Sequence, residues 1–551
     1  MKIRYVITGI LAAAVGVLAA IQPAAYVRAA DPAPEARAVR RASDEKKDEE
    51  KTAAGENDKS SKVVFATVYR GAEEDISADG ETDVFTDYEE ILLTNASKTA
   101  WPALWETIAE LNRSEDRYYS DEMEKLSVIF NKGEYSAADL PLYSASRFYV
   151  RRNDGHAFSI LEVCEFSVQG GYTGYAHYSY NIDPLTGSLI YMRDVVRDMG
   201  RFFDVLTALI TTGYPQEDAA RFAEELRANY IEGGPDTSLS WTFDPLGITV
   251  FIAVPEGISI DRTVMEIYFP YDEMPELFSD RFVKQEGSYC VELSDGGFLY
   301  PDLFSDGEYD EIIVAQDPGP DANGLVYVSM NGVIYEEYVG TEDIRSCYVK
   351  TDDGGDLLII TSRMPLGDSY FDVYDISSGE LEWVGGITAE TFLPADSREE
   401  LLDILEDWKE NDSADSQDDI IMHICDPDRT GLAVEKDVAG RIRFSSPVSI
   451  GGGGEIYQLA DCFYLNDDPV WTVKTPFRVS KLDKAGGREK GIALLQEGTK
   501  LIPVYTDGFS WIDAAAEDGQ CFRIWIQQDE TGLFRYIDGI EVCDALDGTL
   551  Y

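Results

Sequence analysis

Short apolar runs separated by acidic, glycine-containing turns recur beyond about residue 282, and this pattern constrains the fold more than any other feature of the chain. The segments LYPDLFSDGEYDEIIVAQ and VKTDDGGDLLIITS each place an Asp-Gly turn directly before an aliphatic strand. Asp306 and Asp353, in these two turns, are 47 residues apart, close to the length of one four-stranded propeller blade. The pattern predicts a β-rich domain over 283–475, either a generic one or a partial propeller.

The last segment, residues 476–551, has short strands separated by glycine-containing turns. It resembles a bacterial SH3-type barrel, and the resemblance implies binding of wall peptides or glycans. Three of its aromatic residues, Tyr505, Phe509 and Trp511, are candidates for a stacking surface. Their period-two spacing is equally typical of side chains that pack in a core.

Residues 63–282 mix strand and helix patterns. SKVVFATVYRG and HAFSILEVCEFSVQG are rich in β-branched and aromatic residues, which is typical of strands, whereas WPALWETIAELN between them predicts a helix. The segment MGRFFDVLTALITT places five apolar residues on one helical face, namely Phe202, Val205, Leu206, Leu209 and Ile210. Helices between antiparallel strands predict an α+β domain, followed by the β-rich C-terminal domains.

The stretch GGYTGYAHYSYNIDPLTG has the pattern of a strand and a turn. Residues 172–181 alternate like a strand, Asp183 and Pro184 begin a turn, and Gly187 ends it. The following SLIYMRDV is predicted to return as the partner strand, with Asp194 closing the hairpin.

This hairpin resembles the signature of the RsiV-like extracellular domain of unknown function, found in Gram-positive anti-sigma factors and beside PdaC-type peptidoglycan deacetylases. The matching residues are Gly174, Ala176, His177, Tyr180, Asp183, Thr186, Gly187 and Asp194. AWPALWETIAELN, WTFDPLGITVFIAV and MEIYFPYDEMPELF resemble other parts of the module, so the resemblance covers about 63–282. Two features depart from it: Tyr175 stands where relatives often have glycine, and AVPEGISID replaces an aromatic and acidic segment.

His177 is one of three histidines, with His156 and His423. A general base needs a second positioned group, and a zinc site needs three or four ligands. The chain contains no HExxH motif, GxSxG motif or P-loop, and lacks the aspartate and histidine motifs of the deacetylase domain that accompanies the module in some relatives. We therefore predict no catalytic residue, and we expect the His177 imidazole to hydrogen-bond backbone groups of the hairpin.

The N-terminus MKIRYVITGILAAAVGVLAAIQPAAYVRAA predicts an export signal, because Lys2 and Arg4 precede an uncharged run of 16 residues from Val6 to Ile21. A helix needs about 20 apolar residues to span a bilayer, which favours cleavage near Ala29 over an uncleaved anchor. Residues 30–62 interleave charges of both signs without aromatic residues and predict a disordered linker. We expect the folded part outside the cytoplasm, either secreted or membrane-tethered.

The chain is strongly acidic, with 46 Lys or Arg against 103 Asp or Glu and a formal net charge of -57. The first 62 residues hold 11 basic and 9 acidic residues, so the remainder, with 35 against 94, carries -59. This charge excludes nucleic acid as a partner, because phosphates would be repelled. A cationic protein would be attracted, or the charge serves solubility alone.

Seven cysteines are each more than twenty residues from the next, and no pair has zinc-site or thioredoxin spacing. An odd number leaves at least one thiol unpaired. We expect most of them to be buried as small hydrophobic residues.

The acidic turn at 302–310 has carboxylates around a glycine, as calcium-binding loops do. Asp302, Asp306 and Asp310 take the first, fifth and ninth places, but Phe304 occupies the third, where an oxygen donor is expected. The turn resembles the calcium-binding turns of integrin-like propellers with that one departure. Bound Ca²⁺ and a solvated acidic turn are the two alternatives, and no other cofactor is predicted.

These patterns divide the chain into an export signal or anchor, a linker, an RsiV-like α+β domain, a β-rich domain and an SH3-like domain, at 1–29, 30–62, 63–282, 283–475 and 476–551. We expect a non-catalytic cell-envelope binding or sensing protein of a Gram-positive-type bacterium. Its expected ligands are wall glycans or peptides, or a cationic protein such as lysozyme, which some relatives of the module bind. The alternative is an envelope hydrolase that acts on carbohydrate through two carboxylates, but no motif of specific spacing selects them.

Overall fold

The computed structural model describes residues 62–74, 84–131, 142–167, 173–213, 220, 222, 226, 240–253, 264–282, 284–304, 306–317, 324–340, 342–363, 369–388, 391–393, 420–428, 430–437, 441–458, 462–464, 470–508, 510–529 and 534–548. The predicted signal at 1–29 and almost all of the predicted linker lie outside these residues. Among the helices that are described, none is both long and apolar enough to cross a membrane.

The described part of the chain is mainly strands, with few helices. The elements in chain order are β1 Phe65–Glu74, β2 Val84–Leu93, α1 Asn95–Ala100, α2 Pro102–Asn131, β3 Leu142–Asn153, β4 Phe158–Ser167, β5 Thr173–Ile182, α3 Met192–Val195, α4 Met199–Gly213, β6 Ser240–Phe243, β7 Gly247–Ala253, β8 Val264–Pro270, β9 Tyr289–Leu293, β10 Phe298–Leu299, β11 Ile312–Gln316, β12 Leu325–Met330, β13 Val333–Tyr338, β14 Glu342–Lys350, β15 Asp356–Arg363, β16 Ser369–Asp375, β17 Glu382–Thr388, β18 Thr391–Leu393, β19 Ile420–Met422, β20 Thr430–Asp437, β21 Arg441–Ile450, β22 Ile456–Gln458, β23 Cys462–Tyr464, β24 Trp471–Val473, β25 Phe477–Leu482, β26 Glu489–Leu495, β27 Lys500–Thr506, β28 Trp511–Ala516, β29 Cys521–Gln528, β30 Arg535–Ile537, β31 Ile540–Glu541, α5 Val542–Ala545 and β32 Leu546–Asp547.

The first sheet has the order β19-β1-β2-β3-β4-β5, and β2 and β3 are its one parallel pair. The long helix α2 covers one face of this sheet. Its apolar residues Leu104, Ile108 and Leu111 recur at helical spacing and share a buried cluster with Phe148 and Ile160 of the strands. The helix predicted from WPALWETIAELN is therefore present and packs on the strands that flank it.

The second helix, α4, packs against the three-stranded antiparallel sheet β6-β7-β8. All five residues of its predicted apolar face lie in or against that core: Phe202, Val205, Leu206, Leu209 and Ile210. The small sheet also contacts β5, since Asn181 Nδ2 donates to the Trp241 carbonyl oxygen at 2.7 Å. The predicted α+β arrangement is confirmed.

The predicted return strand of the hairpin is much shorter than expected. The chain returns antiparallel over 188–190, where the Asp183 N–H donates to the Ser188 carbonyl oxygen at 2.9 Å and the Ile190 N–H to that of Asn181 at 2.7 Å. β5 pairs with β4 over its whole length, whereas SLIYMRDV contributes one isolated bridge, between Ile182 and Leu189. The chain then enters the one-turn helix α3, where Asp194 accepts the Tyr191 backbone N–H at 3.0 Å. A carboxylate in the first turn satisfies an N–H group that has no helical partner, and this local bond replaces strand pairing.

Two antiparallel meanders follow, with the orders β10-β11-β12-β13 and β14-β15-β16-β17, and β9 joins the outer edge of β14. They pack face to face, and their shared core includes Val291, Val314, Val328, Tyr348 and Ile360. The turns at Asp306 and Asp353 precede β11 and β15, the second strands of the two meanders. The 47-residue spacing thus marks two stacked four-stranded units, and no closed propeller or barrel occurs among the described strands.

A further large sheet has the order β18-β20-β21-β23-β27-β28-β29-β25-β26. Val448 and Ile450 of β21 pack on the free face of the second meander. The strand β19 comes from the same part of the chain, yet it pairs with β1 of the first sheet. The segment 283–475 therefore contacts both the segment that precedes it, 63–282, and the segment that follows it, 476–551.

The C-terminal strands surround a core that includes the fully buried Trp471, so this core begins before residue 476. The predicted β-rich character is confirmed, but the strands described here do not close into the SH3-type barrel that the sequence predicts. Closure requires the last strand to pair with the first. Instead, β27 pairs with β23, β24 and β28, and β26 remains at the edge of the sheet.

Candidate functional site

The candidate site is one face of the C-terminal sheet, where exposed apolar and cationic side chains lie together. Side chains alternate between the two faces of a strand. Phe477, Val479 and Ile524 point into the core, so the residues between them point away from it. We call this surface the outer face, and its residues are Arg478, Ser480, Ile492, Leu494, Arg523 and Trp525.

The apolar members of the outer face are open to solvent. Ile492 is 77% exposed, Leu494 56% and Trp525 45%. Ile492 lies directly opposite Ser480 across β25 and β26, and the Trp525 Nε1 donates to the Ser480 hydroxyl at 3.3 Å. The three exposed apolar side chains thus lie on one face, with Arg478 and Ser480 of β25 between Trp525 and the two aliphatic residues. Exposed apolar residues grouped on one face are typical of binding surfaces.

Arg523 is held in a fixed position on this face. Its Nε donates to Asp513 Oδ1 at 2.6 Å and its Nη2 to Asp513 Oδ2 at 2.9 Å, and the Asp513 carboxylate is fully buried. Its guanidinium carbon lies 3.7 Å from the ring centroid of Trp511 and 5.9 Å from that of Trp525. A guanidinium stacked on aromatic rings is rigid, so it presents a fixed positive charge beside Trp525.

Arg478 is the second cation of the outer face, and it is much more exposed. Its Nη2 lies 2.5 Å from Asp538 Oδ1, yet 69% of its side chain remains accessible. The hydrogen bond from Arg478 lowers the pKa of Asp538 below its ordinary value. Since guanidinium has five N–H donors, an exposed arginine that is already oriented by one carboxylate can bind a second carboxylate or phosphate.

The predicted stacking residues border the outer face without forming an open platform. Trp511 lies opposite Trp525 on the neighbouring strand, but it is buried beneath Arg523. Tyr505 is half-buried on β27, and Phe509 lies outside the described residues. The exposed ring is that of Trp525, one strand away from the predicted position. The alternation in CFRIWIQ placed Arg523 and Trp525 on one side, but only strand pairing shows that this side is uncovered.

The acidic turn at 302–310 uses its carboxylates on its own backbone. Asp302 accepts the Asp306 N–H at 3.0 Å, and Asp310 accepts the Leu303 N–H at 3.0 Å. Within the described ranges, one group of three acidic, cysteine or histidine ligand atoms lies within 4.8 Å of one another, and it is formed by Glu541, Cys543 and Asp544. Side-chain-to-backbone bonds therefore shape this turn, and bound Ca²⁺ and a solvated acidic turn remain the two alternatives.

The residues of the predicted family motif lie on β5, in the following turn and on α3. They are Gly174, Ala176, His177, Tyr180, Asp183, Thr186, Gly187 and Asp194. Gly187 has a φ of 65°, and a Cβ there would lie 2.4 Å from the Ala103 carbonyl oxygen of α2. Thr107 Oγ1 donates to the Gly187 carbonyl at 2.7 Å, and Asp183 accepts the Leu185 N–H at 3.0 Å. These contacts dock the turn on α2, which is a structural role.

His177 packs between two sheets. Its ring stacks on Phe251 of β7 with a centroid separation of 5.6 Å, and Ser240 Oγ donates to its carbonyl oxygen at 2.6 Å. The Nδ1 atom is buried and has no hydrogen-bond partner among the described residues, so the expected bond from this nitrogen to hairpin backbone is not formed. Burial lowers the pKa of His177 to about 4, which keeps the imidazole neutral at neutral pH.

Comparisons with known proteins give distant structural likenesses. Two solved structures of DUF3298 family proteins, members of a domain family of unknown function, are similar to part of this chain. The protein from Pseudomonas aeruginosa PAO1 has a TM-score of 0.27 and 10% identity, and the match covers 41% of this chain and 99% of that protein. The protein from Bacteroides fragilis NCTC 9343 has a TM-score of 0.28 and 14% identity, with coverage of 40% and 94%. No family model and no curated protein matches.

A hydroxyl, an imidazole and a carboxylate lie in line where the first sheet meets the meanders. His423 Nε2 is 2.8 Å from Thr67 Oγ1, and His423 Nδ1 bonds to Glu292. Burial alone would raise the pKa of Glu292, but His423 and the charge of Arg345 hold it below its ordinary value. The order of groups resembles a nucleophilic triad, yet Thr67 has no exposed surface and His423 almost none. Because these side chains are enclosed among the described residues, the set joins the first sheet to the meanders.

A pair of glutamates lies between α2 and the first sheet: Glu115 belongs to α2 and Glu162 to β4. Burial, and then the neighbouring Glu162 carboxyl, raises the pKa of Glu115 well above its usual range, and burial raises the pKa of Glu162. Glu162 also accepts from Tyr180 at 2.9 Å and from Cys164 at 3.2 Å. The two carboxyls hydrogen-bond each other directly, whereas a glycosidase separates its carboxyls by about 5 Å or more to admit the sugar or water. This pair therefore lacks the geometry of the alternative hydrolase.

Proposed function

We propose that the protein is a non-catalytic binding protein of the cell envelope that recognises wall fragments through the outer face. The observation that carries the proposal is the exposure of Trp525 beside Ile492 and Leu494, with Arg478 and Arg523 on the same face. An exposed indole offers a flat apolar surface to the face of a sugar ring. The exposed Arg478 guanidinium offers donors to the carboxylates that wall peptides carry.

The chemistry of the remaining groups favours binding over catalysis. The carboxyl pair Glu115–Glu162 and the Thr67–His423–Glu292 set are both enclosed by protein. General acid–base chemistry needs a titratable group within hydrogen-bond reach of a substrate. On the outer face, the two arginines stay protonated and donate hydrogen bonds, and each is bonded to a carboxylate, Arg478 to Asp538 and Arg523 to Asp513.

The test measures co-sedimentation of the purified chain with purified peptidoglycan, together with any soluble sugar or peptide that it releases. We expect binding without release. Trp525→Ala should weaken binding at least about tenfold, because a central exposed tryptophan that anchors a ligand contributes more than 1 kcal/mol. Trp383→Ala is the matched control: Trp383 is 58% exposed, and its Nε1 also donates to a side chain, that of Asp372, at 3.2 Å.

Lysozyme serves as the comparison ligand, because the net charge of -57 attracts any cationic protein. Long-range attraction is screened between 0.01 M and 0.15 M salt, where the Debye length falls from about 30 Å to about 8 Å. Wall binding should persist at 0.15 M salt. Equal loss of peptidoglycan binding in the Trp525 and Trp383 variants, or release of soluble sugars by the wild-type chain, would refute the proposal.

A further inference from the structure

Strand β26 is an unpaired edge of the C-terminal sheet. It pairs with β25 on one side, and no described strand lies on its other side. Glu489, Lys490, Gly491 and Ile492 are all exposed, so no part of the described chain covers them. An edge strand presents backbone N–H and C=O groups that can pair with another extended chain, and native proteins usually block such edges.

The side chains of this edge have the spacing that an added strand needs. Ile492 and Leu494 are two residues apart and point to the same face, at 77% and 56% exposure. Alternate residues of an added strand would lie beside them, because side chains in a sheet repeat with a period of two. Backbone pairing then supplies affinity, and the two apolar positions supply selectivity.

The hairpin around this edge is basic in a strongly acidic protein. Residues 474–495 contain six Lys or Arg and two Asp or Glu, a net charge of +4, whereas the whole chain carries -57. Lys481 and Lys490 lie close to the edge, and both are exposed. At 0.15 M salt, where the Debye length is about 8 Å, the local charge of the hairpin dominates over that of the distant acidic residues. A second copy of this hairpin would then be repelled, while an acidic chain would be attracted. Charge complementarity therefore favours an acidic ligand at this strand.

We propose that β26 binds an acidic peptide in extended conformation as an additional antiparallel or parallel strand. This deepens the proposed function, on which it rests, by assigning the peptide part of a wall fragment to the sheet edge and the sugar part to Trp525. The lysines of the hairpin contact the ligand's carboxylates, and Ile492 and Leu494 contact its apolar side chains.

The test uses a synthetic hexapeptide of alternating Glu and Val, with fluorescence anisotropy or calorimetry on the full chain. The expected result is binding that is lost when all backbone nitrogens of the peptide are methylated, because methylation removes the N–H donors of both strand edges and keeps the side chains. A Lys-Val hexapeptide of the same length should bind at least about tenfold more weakly.

Ile492→Glu should weaken hexapeptide binding at least about tenfold, because it adds a like charge beside the ligand. Val333→Glu is the matched control, since Val333 is 55% exposed on the edge strand β13 of a different sheet. Equal binding of the methylated peptide would overturn strand addition. Strand addition would also be overturned if the chain bound no peptide but bound phosphatidylglycerol vesicles in a way that depends on Ile492. That result would assign the edge to a lipid surface.

The proposed function and this inference fail in different ways. Peptidoglycan binding that depends on Trp525, together with no hexapeptide binding, would overturn strand addition and leave the outer face as the wall-binding surface. If the wild-type chain does not bind peptidoglycan but binds the hexapeptide through β26, the proposed function fails and the edge binds acidic peptides of another source.

Discussion

Two arginine–aspartate pairs of the same geometry lie in opposite environments, one inside the molecule and one on the outer face. Arg151 bonds both carboxylate oxygens of Asp244, at 2.8 and 2.9 Å, and both side chains are almost fully buried. Arg478 bonds Asp538 through two nitrogens, but its side chain is 69% exposed. The comparison separates charges that hold the fold together from charges that are available to a ligand.

The buried pair is fully engaged. Arg151 also donates to the carbonyl oxygens of Glu292 at 3.2 Å and Phe298 at 3.0 Å, so it links the first sheet to the meanders. Asp244 in turn accepts from Thr249 Oγ1 at 2.5 Å. A charge with all its strong partners inside the protein has no capacity for a ligand, whereas Arg478 keeps donors that face water.

The largest expected effect comes from breaking the buried pair. Arg151→Met should lower the free energy of unfolding by about 3–5 kcal/mol, because the Asp244 charge would remain buried without its partner. Arg478→Met should lower it much less, because Asp538 can be solvated. Urea unfolding monitored by tryptophan fluorescence measures both. Equal costs for the two variants would contradict the distinction between the two environments.

The second prediction compares two glycines of positive φ, one packed closely against α2 and one with open space around it. Gly187→Ala should destabilise by about 2 kcal/mol or more, since a left-handed φ is strained for alanine and the Cβ would lie 2.4 Å from the Ala103 carbonyl oxygen. Gly296→Ala is the control, because its φ is 67° and a Cβ there meets no atom within 4 Å. It should cost about 1 kcal/mol, the strain of φ alone.

Thermal unfolding of these two glycine variants gives the measurement, with the difference between them as the quantity of interest. A Gly187 variant as stable as the Gly296 variant would show that the turn does not dock tightly on α2. In that case the bond from Thr107 to the Gly187 carbonyl would also be weak.

The sequence predicted the parts of the fold that follow from local periodicity. The apolar face of α4 and the acidic turns before β11 and β15 could be predicted, because helical spacing and Asp-Gly turns are set by residues that are close in sequence. The pairing of β19 with β1 could not be predicted, since it joins residues separated by more than 350 positions. The return strand after Gly187 is shorter than predicted, since the chain enters the helix α3, with its carboxylate cap at Asp194, directly after residue 190.

The candidate site was predicted only in part. The sequence pointed to aromatic residues near Trp511, but burial of that ring beneath Arg523 depends on the register of β28 and β29. The exposure of Ile492 depends on β26 being the last strand of its sheet, and no residue type encodes that position.

The smallest expected effect concerns His177, which unlike the arginines is buried without a charge. Its pKa is lowered by burial from 6.5 to about 4, so the unfolded chain takes up a proton at a higher pH than the folded chain does. The stability contribution of His177 is therefore fully present above pH 6.5 and is lost as the pH falls toward 4. After allowance for partial exposure, the loss should be on the order of 1 kcal/mol.

His177→Phe keeps the stacking on Phe251 and removes the titration, so its unfolding free energy should fall less between pH 7 and pH 4 than that of the wild-type chain. Carboxylates titrate in both chains, so the difference between the two pH profiles isolates the imidazole. Parallel profiles would show that His177 is accessible to protons in the folded state.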